Sequence, residues 1–113
     1  MPSATPSIDT AVYAELQNAA GAEFAAELVG TFFEEAPLML AELRSALADG
    51  NGERFRRAAH SLKSNAQTFG ATTLAERART LELGGLPADA ASLDALDAEY
   101  ARAAATLQEL ARV

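Results

Sequence analysis

The only histidine of this 113-residue chain, His60, lies on the polar side of a predicted helix. At about 100° per residue, the apolar residues around it recur at intervals of three and four and form one stripe: Phe55, Ala58, Ala59, Leu62, Ala66 and Phe69. His60 lies roughly 155° from the centre of that stripe. An imidazole turned away from the core is available as a nucleophile towards a group that another molecule delivers.

Three cations lie close to the histidine on its own helix. Lys63, one turn on, is placed to offer an ammonium group to phosphate oxygens. Arg56 and Arg57, one turn back, raise the local positive potential and are candidates for binding a partner. Residues 52–70 carry four basic side chains against one glutamate, although the whole chain has a net charge of -7. The sequence therefore predicts a positive surface at His60, while the overall acidity argues against nucleic acid or anionic lipid as partners.

Two polar residues continue the face that carries the imidazole. Ser64 lies at i+4 beside His60, where a small side chain leaves room for a partner's surface. Gln67, almost one turn further, is expected to donate a hydrogen bond to a phosphoryl oxygen or to contact the partner. The alternative for these residues and for the cations is an ordinary solvated helix face.

Several other reaction classes need patterns that the sequence lacks. A carboxylate-bridged pair of metal ions requires a Glu-x-x-His motif, but Arg57 stands three residues before the histidine. The absence of cysteine removes thiol nucleophiles and zinc–thiolate sites. No Walker loop, dinucleotide fingerprint or Gly-x-Ser-x-Gly elbow occurs, so we expect neither an ATP site nor a serine hydrolase. We predict no metal site on this chain.

The elements that position His60 are all predicted to be helices, because the composition favours them and no segment has a strand pattern. The first helix is expected to begin near Ile8 and end near Ala20. The second is predicted to run from Ala22 to about Asp49, kinked by Pro37 but continuous. Its apolar stripe leaves Phe24, Phe33 and Leu38 at the edge or outside, where they would cover the first helix or meet a partner.

The helix of His60 is expected to have Asn51 as its N-cap and to end near Phe69, with Gly70 at C′. A capping box formed by Thr73 and Glu76 is predicted to open the fourth helix, which residues 84–87 end. The final helix places its apolar residues on one seam: Leu93, Leu96, Tyr100, Ala103, Leu107 and Leu110.

Short turns between these helices predict an all-α fold, an antiparallel up-down four-helix bundle with a short N-terminal accessory helix. We expect residues 1–7 to be a flexible N-terminus and residues 8–113 to form a single domain. The N-terminus lacks the basic and apolar regions of a signal peptide, and no apolar run reaches the roughly 18 residues of a membrane span. We therefore expect a cytoplasmic protein without a membrane partner. A domain that exposes its site is expected to be a monomer, with a dimer through the N-terminal helix as the alternative.

The segment His-Ser-Leu-Lys-Ser at residues 60–64, followed by Phe-Gly at 69–70, resembles the signature of histidine-containing phosphotransfer (HPt) domains. That family's pattern is His-x-Leu-Lys-Gly/Ser, then a short spacer, an apolar residue and glycine. Phe-Glu-Glu-Ala-Pro at residues 33–37 resembles the family's preceding helix, and residues 71–82 resemble its following one. The likeness covers roughly residues 20–85. Ser64 departs from the common glycine but keeps the side chain small.

The resemblance implies a phosphorelay intermediate of bacterial two-component signalling. Such a domain takes a phosphoryl group on its histidine from a receiver-domain aspartate or a hybrid sensor histidine kinase, and passes it to another receiver. It implies phosphorylation of Nε2 of His60, with Glu82 at the position whose side chain bonds Nδ1 and fixes the tautomer. It implies no cofactor on this chain, because Mg2+ belongs to the partner receiver, and no kinase activity of its own.

Two other functions remain open at this stage. The chain could be an adaptor that binds receiver or kinase domains without phosphate turnover, or a purely structural bundle or small chaperone. The alternative for Glu82 is an ordinary solvated glutamate. Phosphate uptake from phosphorylated receivers separates the first function from the adaptor, and binding to receivers separates the adaptor from the structural bundle.

Overall fold

The computed structural model describes residues 7–112 and, within them, contains five α-helices and no strand. The helices are α1 (Thr10–Ala20), α2 (Ala22–Ala48), α3 (Gly52–Thr68), α4 (Thr72–Gly84) and α5 (Ala91–Leu110). The predicted all-α class is confirmed. In the described part of the chain, no helix is long and apolar enough to cross a membrane.

The order of contacts between the helices places α3 between two neighbours. Helix α2 packs on α3, α3 on α4, α4 on α5 and α5 on α2, while α1 lies against α2 and α3. These contacts agree with a bundle that carries an accessory N-terminal helix, and the antiparallel direction of the four helices stays a prediction. The predicted flexible N-terminus falls, apart from Ser7, outside the described residues.

The buried side of α3 is the stripe that the sequence predicts. Phe55, Leu62 and Ala66 are completely buried, and Phe69 lies just beyond the helix against Phe32 of α2, with 5.1 Å between the ring centroids. Burial of this stripe fixes the rotation of α3 about its axis, since apolar side chains gain about 25 cal/mol per Å2 removed from water. The opposite side of α3, which carries His60, is therefore held outward.

Helix α2 runs through Pro37 as a single helix, as the sequence predicts. Its buried residues before and after the proline, Phe32 and Leu43, keep one phase. Phe24 and Leu38 lie outside this stripe and are exposed, whereas Phe33 is half-buried against the core.

The predicted start of α1 at Ile8 is wrong by two residues. Asp9 is the N-cap, because its carboxylate accepts a hydrogen bond from the N–H of Ala11 at 3.0 Å. The N–H of Asp9 itself donates to the carbonyl of Gly70 at 2.7 Å, which ties the chain to the α3–α4 turn. Ile8 is buried ahead of the helix rather than on its first turn.

The predicted capping box at the start of α4 is also wrong. The helix begins at Thr72, its N-cap is Ala71, and no side chain caps it. The N–H of Ala71 donates to the carbonyl of Ala66 at 2.9 Å, and the carbonyl of Ala71 accepts from Ala75 at 2.9 Å. The turn therefore passes directly from the end of α3 into α4, and Thr73 is already inside the helix.

The other predicted helix ends are confirmed. The side chain of Asn51 caps α3 by accepting from the N–H of Arg54 at 3.0 Å, and Gly70 follows α3 with φ +76. Helix α4 ends at Gly84, and Gly85 takes a positive φ of 73.

We expect Gly70→Ala to lower the free energy of unfolding by about 1 to 3 kcal/mol more than Gly50→Ala, the usual range for an overpacked site. Both glycines have positive φ, so both variants carry the backbone strain of a left-handed residue. A Cβ at Gly70 would lie 2.6 Å from the carbonyl oxygen of Asp9 and 2.9 Å from Cβ of Val12, whereas one at Gly50 meets nothing within 4 Å. Urea denaturation of the two variants measures this difference. Equal losses in the free energy of unfolding would show that α1 moves away from the added Cβ at no cost in stability.

Candidate functional site

His60 lies on the outer face of α3, and its side chain is 55% exposed. Its Nδ1 atom is 2.7 Å from Oε2 of Glu82, a residue near the end of α4. A carboxylate accepts hydrogen bonds, so this contact selects the tautomer with the proton on Nδ1. Within the described residues no group bonds Nε2, which keeps its lone pair.

Glu82 also forms an ion pair with Lys63, so a single carboxylate contacts both His60 and Lys63 of the sequence motif. The Nζ atom of Lys63 is 2.7 Å from Oε1 of Glu82, and the Glu82 side chain is only 11% exposed. The ammonium group of Lys63 and, after it, the imidazole of His60 hold the pKa of Glu82 below its ordinary value. Glu82 therefore stays anionic and keeps accepting from Nδ1 at neutral pH.

The two arginines one turn before His60 have different surroundings. Arg56 is bound to Glu53 in the first turn of α3, with 2.6 Å between Nη2 and Oε1. Arg57 is exposed and makes no ion pair or hydrogen bond to a side chain within residues 7–112. The predicted positive surface is therefore largely compensated by carboxylates, and Arg57 is its uncompensated part among the described residues.

Arg54, the fourth cation of the segment, connects α3 to α2 rather than serving the histidine. Its guanidinium binds Glu42 at 2.9 and 3.0 Å, Asp49 at 2.7 Å and Ser45 at 3.0 Å. The hydrogen bond with Arg54 lowers the pKa of Glu42, and the more distant charge of Arg57 adds a weaker effect. This network connects α2 to α3, the helix that carries the exposed face.

Ser64 and Gln67 are both exposed on α3, as the sequence predicts. Ser64 is the next residue along the helix on the side of the imidazole. Gln67 lines a separate groove of about 260 Å3 with residues of α1 and α4, including Val12 and Arg79. Among the described residues, Gln67 makes no hydrogen bond to His60, and its predicted contact with a phosphoryl group or a partner stays a prediction.

A groove between α2 and α3 lies on the side of α3 that carries Arg57 and Ser61. It has a volume of about 370 Å3 and is lined by seven residues: Leu38, Met39, Glu42, Arg54, Arg57, Ala58 and Ser61. Leu38, one of these lining residues, is 70% exposed. The sequence marks Leu38 only as lying outside the buried stripe of α2, and nothing in the sequence pairs it with Arg57.

Comparison with known proteins identifies one family. The family model described as the Hpt domain matches residues 27–106, which contain α3, α4 and the contact between His60 and Glu82. The searches of curated proteins and of solved structures found no match.

Proposed function

Since this chain belongs to the Hpt domain family, we propose that it carries a phosphoryl group on Nε2 of His60, to or from the aspartate of a receiver domain. Membership of the family places the chain in histidine phosphotransfer of a phosphorelay. The contact of Nδ1 with Glu82 is the observation that carries the finer proposal, because it leaves the exposed Nε2 as the nucleophile.

The proposed step needs no proton transfer to or from this chain. The lone pair of Nε2 attacks phosphorus, the N–P bond forms, and the bond from phosphorus to the aspartyl oxygen breaks. The electron pair leaves with the aspartate carboxylate of the receiver. The ring then carries a positive charge and keeps its Nδ1 proton, and the anionic Glu82 stabilises it at 2.7 Å.

The remaining apparatus is proposed to come from the partner. A receiver domain supplies the aspartate and the Mg2+ ion that stabilises charge on the phosphoryl oxygens. This chain supplies an oriented nucleophile, clearance at Ser64 and an exposed surface. A hybrid sensor histidine kinase that contains a receiver is a partner of the same chemistry.

An adaptor that binds receivers without turnover is the competing function. The arrangement of Glu82 favours the carrier, because docking alone requires neither a fixed tautomer nor an anion behind the ring. Incubation of the wild-type chain with phosphorylated receivers of the host separates the two functions. Acid-labile label on the chain supports the carrier, whereas tight binding to a receiver without label would establish the adaptor.

We propose that Lys63 acts through Glu82, and expect Lys63→Ala to slow transfer from a phosphorylated receiver. Loss of the ammonium group leaves Oε1 of Glu82 without its partner, so the carboxylate is held less firmly in the position from which it accepts from Nδ1. The loss should be roughly tenfold to a hundredfold, as when the outer partner of a metal-bound histidine is removed. Rapid-quench measurement of labelled protein gives the rate.

Two further readouts show whether Lys63 has this positioning role. The pKa of Glu82, followed by carboxyl NMR, should rise in Lys63→Ala and return towards the wild-type value in Lys63→Arg. A slowed variant in which the pKa of Glu82 stays unchanged would assign Lys63 to the phosphate instead. An unchanged transfer rate would remove both roles.

A further inference from the structure

We propose that the guanidinium of Arg57 binds the phosphoryl group carried on Nε2 of His60. This inference rests on the proposed function and names the residue of this chain that meets the transferred group. Three of the four cations on the helix of the histidine are bound to carboxylates. Lys63 lies on Glu82, Arg56 on Glu53, and Arg54 on Glu42 and Asp49. Within residues 7–112, Arg57 has no such partner.

The carboxylates nearest to Arg57 are already neutralised by other residues. Glu42 binds Arg54 through two hydrogen bonds, and Glu53 binds Arg56. The charge of Arg57 lowers the pKa of Glu42 and of Glu53 only as the weakest contribution, after those partners. The side chain of Arg57 is exposed, so it can move to an arriving dianion without first breaking an ion pair.

Helix geometry places Arg57 and Lys63 on opposite sides of His60. The two residues are three positions before and three after it, which at about 100° per residue puts them about 60° to either side. Lys63 faces α4, where it meets Glu82. Arg57 faces α2, where it lines the groove with Leu38 and Glu42.

The orientation of the imidazole decides between these two cations. Nδ1 and Nε2 are separated by one ring carbon and their bonding directions diverge by more than a right angle, and Nδ1 is directed at Glu82 of α4. Nε2 therefore does not point at Glu82, and a phosphoryl group on it extends away from that carboxylate, which leaves Arg57, on the other side of His60, as the cation without a carboxylate partner among the described residues. Lys63 lies behind the ring with its charge directed at Glu82, where it stabilises the orienting group.

The chemistry of arginine suits this position. A guanidinium offers several N–H donors in a planar fork that matches phosphoryl oxygens, and it remains charged throughout. When the N–P bond forms and the aspartyl oxygen leaves, the phosphoryl group keeps its negative charge on three oxygens. Arg57 donates hydrogen bonds to those phosphoryl oxygens, and no covalent bond to Arg57 forms or breaks.

A measurement without any partner tests this directly. His60 is phosphorylated chemically with phosphoramidate, and the 31P resonance of the phosphohistidine is titrated with pH. A bound guanidinium favours the dianion, so Arg57→Ala should raise the midpoint by about 0.5 pH unit, the effect of one charge at contact distance in a water-exposed site. Arg57→Lys keeps the charge and should restore most of the wild-type midpoint.

Arg56→Ala is the matched control, because it removes the same charge one residue away on the same helix turn. Its shift should be much smaller than that of Arg57→Ala, since Arg56 is held by Glu53. An unchanged midpoint in Arg57→Ala, or an equal shift in the two variants, would overturn the assignment.

Transfer from a phosphorylated receiver adds a second readout. In the Arg57→Ala variant a hydrogen bond to a charged group is lost, so phosphoryl transfer from the receiver to this variant should be about tenfold slower. A slower transfer with an unshifted 31P midpoint would mean that Arg57 binds the receiver and not the phosphoryl group, which also overturns the proposal. Failure of the proposed function has a different signature: wild-type protein would take no phosphoryl group from any receiver, while the 31P titration would still decide the role of Arg57.

Discussion

We expect His60→Gln to abolish acid-labile phosphorylation of this chain by any phosphorylated receiver, while the helical fold is retained. Glutamine has no nitrogen lone pair of comparable nucleophilicity, so no N–P bond forms. His60 is the only histidine in the sequence, so every phosphohistidine must be at this position. The measurement is the amount of label on the protein that is stable in alkali and lost in acid.

The same variant should leave stability almost unchanged. His60 is 55% exposed, its buried neighbours on α3 are untouched and a glutamine amide can still donate to Glu82, so the free energy of unfolding should change by about 1 kcal/mol or less. Circular dichroism and urea denaturation provide this control. Label that persists in a folded His60→Gln protein would place the phosphoryl group on a carboxylate or hydroxyl, and the carrier function on His60 would be wrong.

The second large effect is expected from Ser64→Trp. Ser64 is exposed one turn after His60, so an indole there stands on the surface over which a receiver must approach Nε2. A displacement of about 1 Å between reacting groups can cost about 100-fold in rate, and an indole imposes more than that. We therefore expect transfer from a receiver to fall by at least about 100-fold.

Ser92→Trp provides the matched control on another part of the surface. Ser92 is an exposed serine on α5, in a groove lined by residues of α4 and α5. This variant should transfer at the wild-type rate, and both variants should unfold at the same urea concentration as the wild type. Wild-type transfer in Ser64→Trp would show that the partner docks elsewhere.

The sequence determines the helices, their buried stripes and the exposed phase of His60, because these follow from local periodicity. The spacing of residues from 55 to 69 predicts both the core side of α3 and the nucleophile opposite it. Helix ends are less secure. Asp9, the N-cap of α1, is held by the carbonyl of Gly70, a residue distant in sequence. Ala71, the N-cap of α4, makes backbone hydrogen bonds to Ala66 and Ala75, without the side-chain cap that the sequence suggests.

The distribution of charge around His60 depends on tertiary structure. The sequence shows four cations near one histidine but not which carboxylates meet them. Glu42 reaches Arg54 from α2, and Glu82 reaches both Lys63 and His60 from α4. Those pairings follow from the rotation of α2, α3 and α4 about their axes, which the packing of all the buried stripes sets together.

Glu82 shows most clearly what the sequence determines and what the tertiary structure determines. Its position 22 residues after His60 matches the family pattern, but on its own helix it could equally be a solvated side chain. Packing of α4 on α3 brings its carboxylate to 2.7 Å from Nδ1, and Nε2 has no hydrogen-bond partner among the described residues. The sequence determined by itself that a histidine is exposed among cations. Only the tertiary structure decided that Glu82 lies 2.7 Å from Nδ1 and that carboxylates of α2 and α4 bind Arg54 and Lys63, because these contacts form between helices.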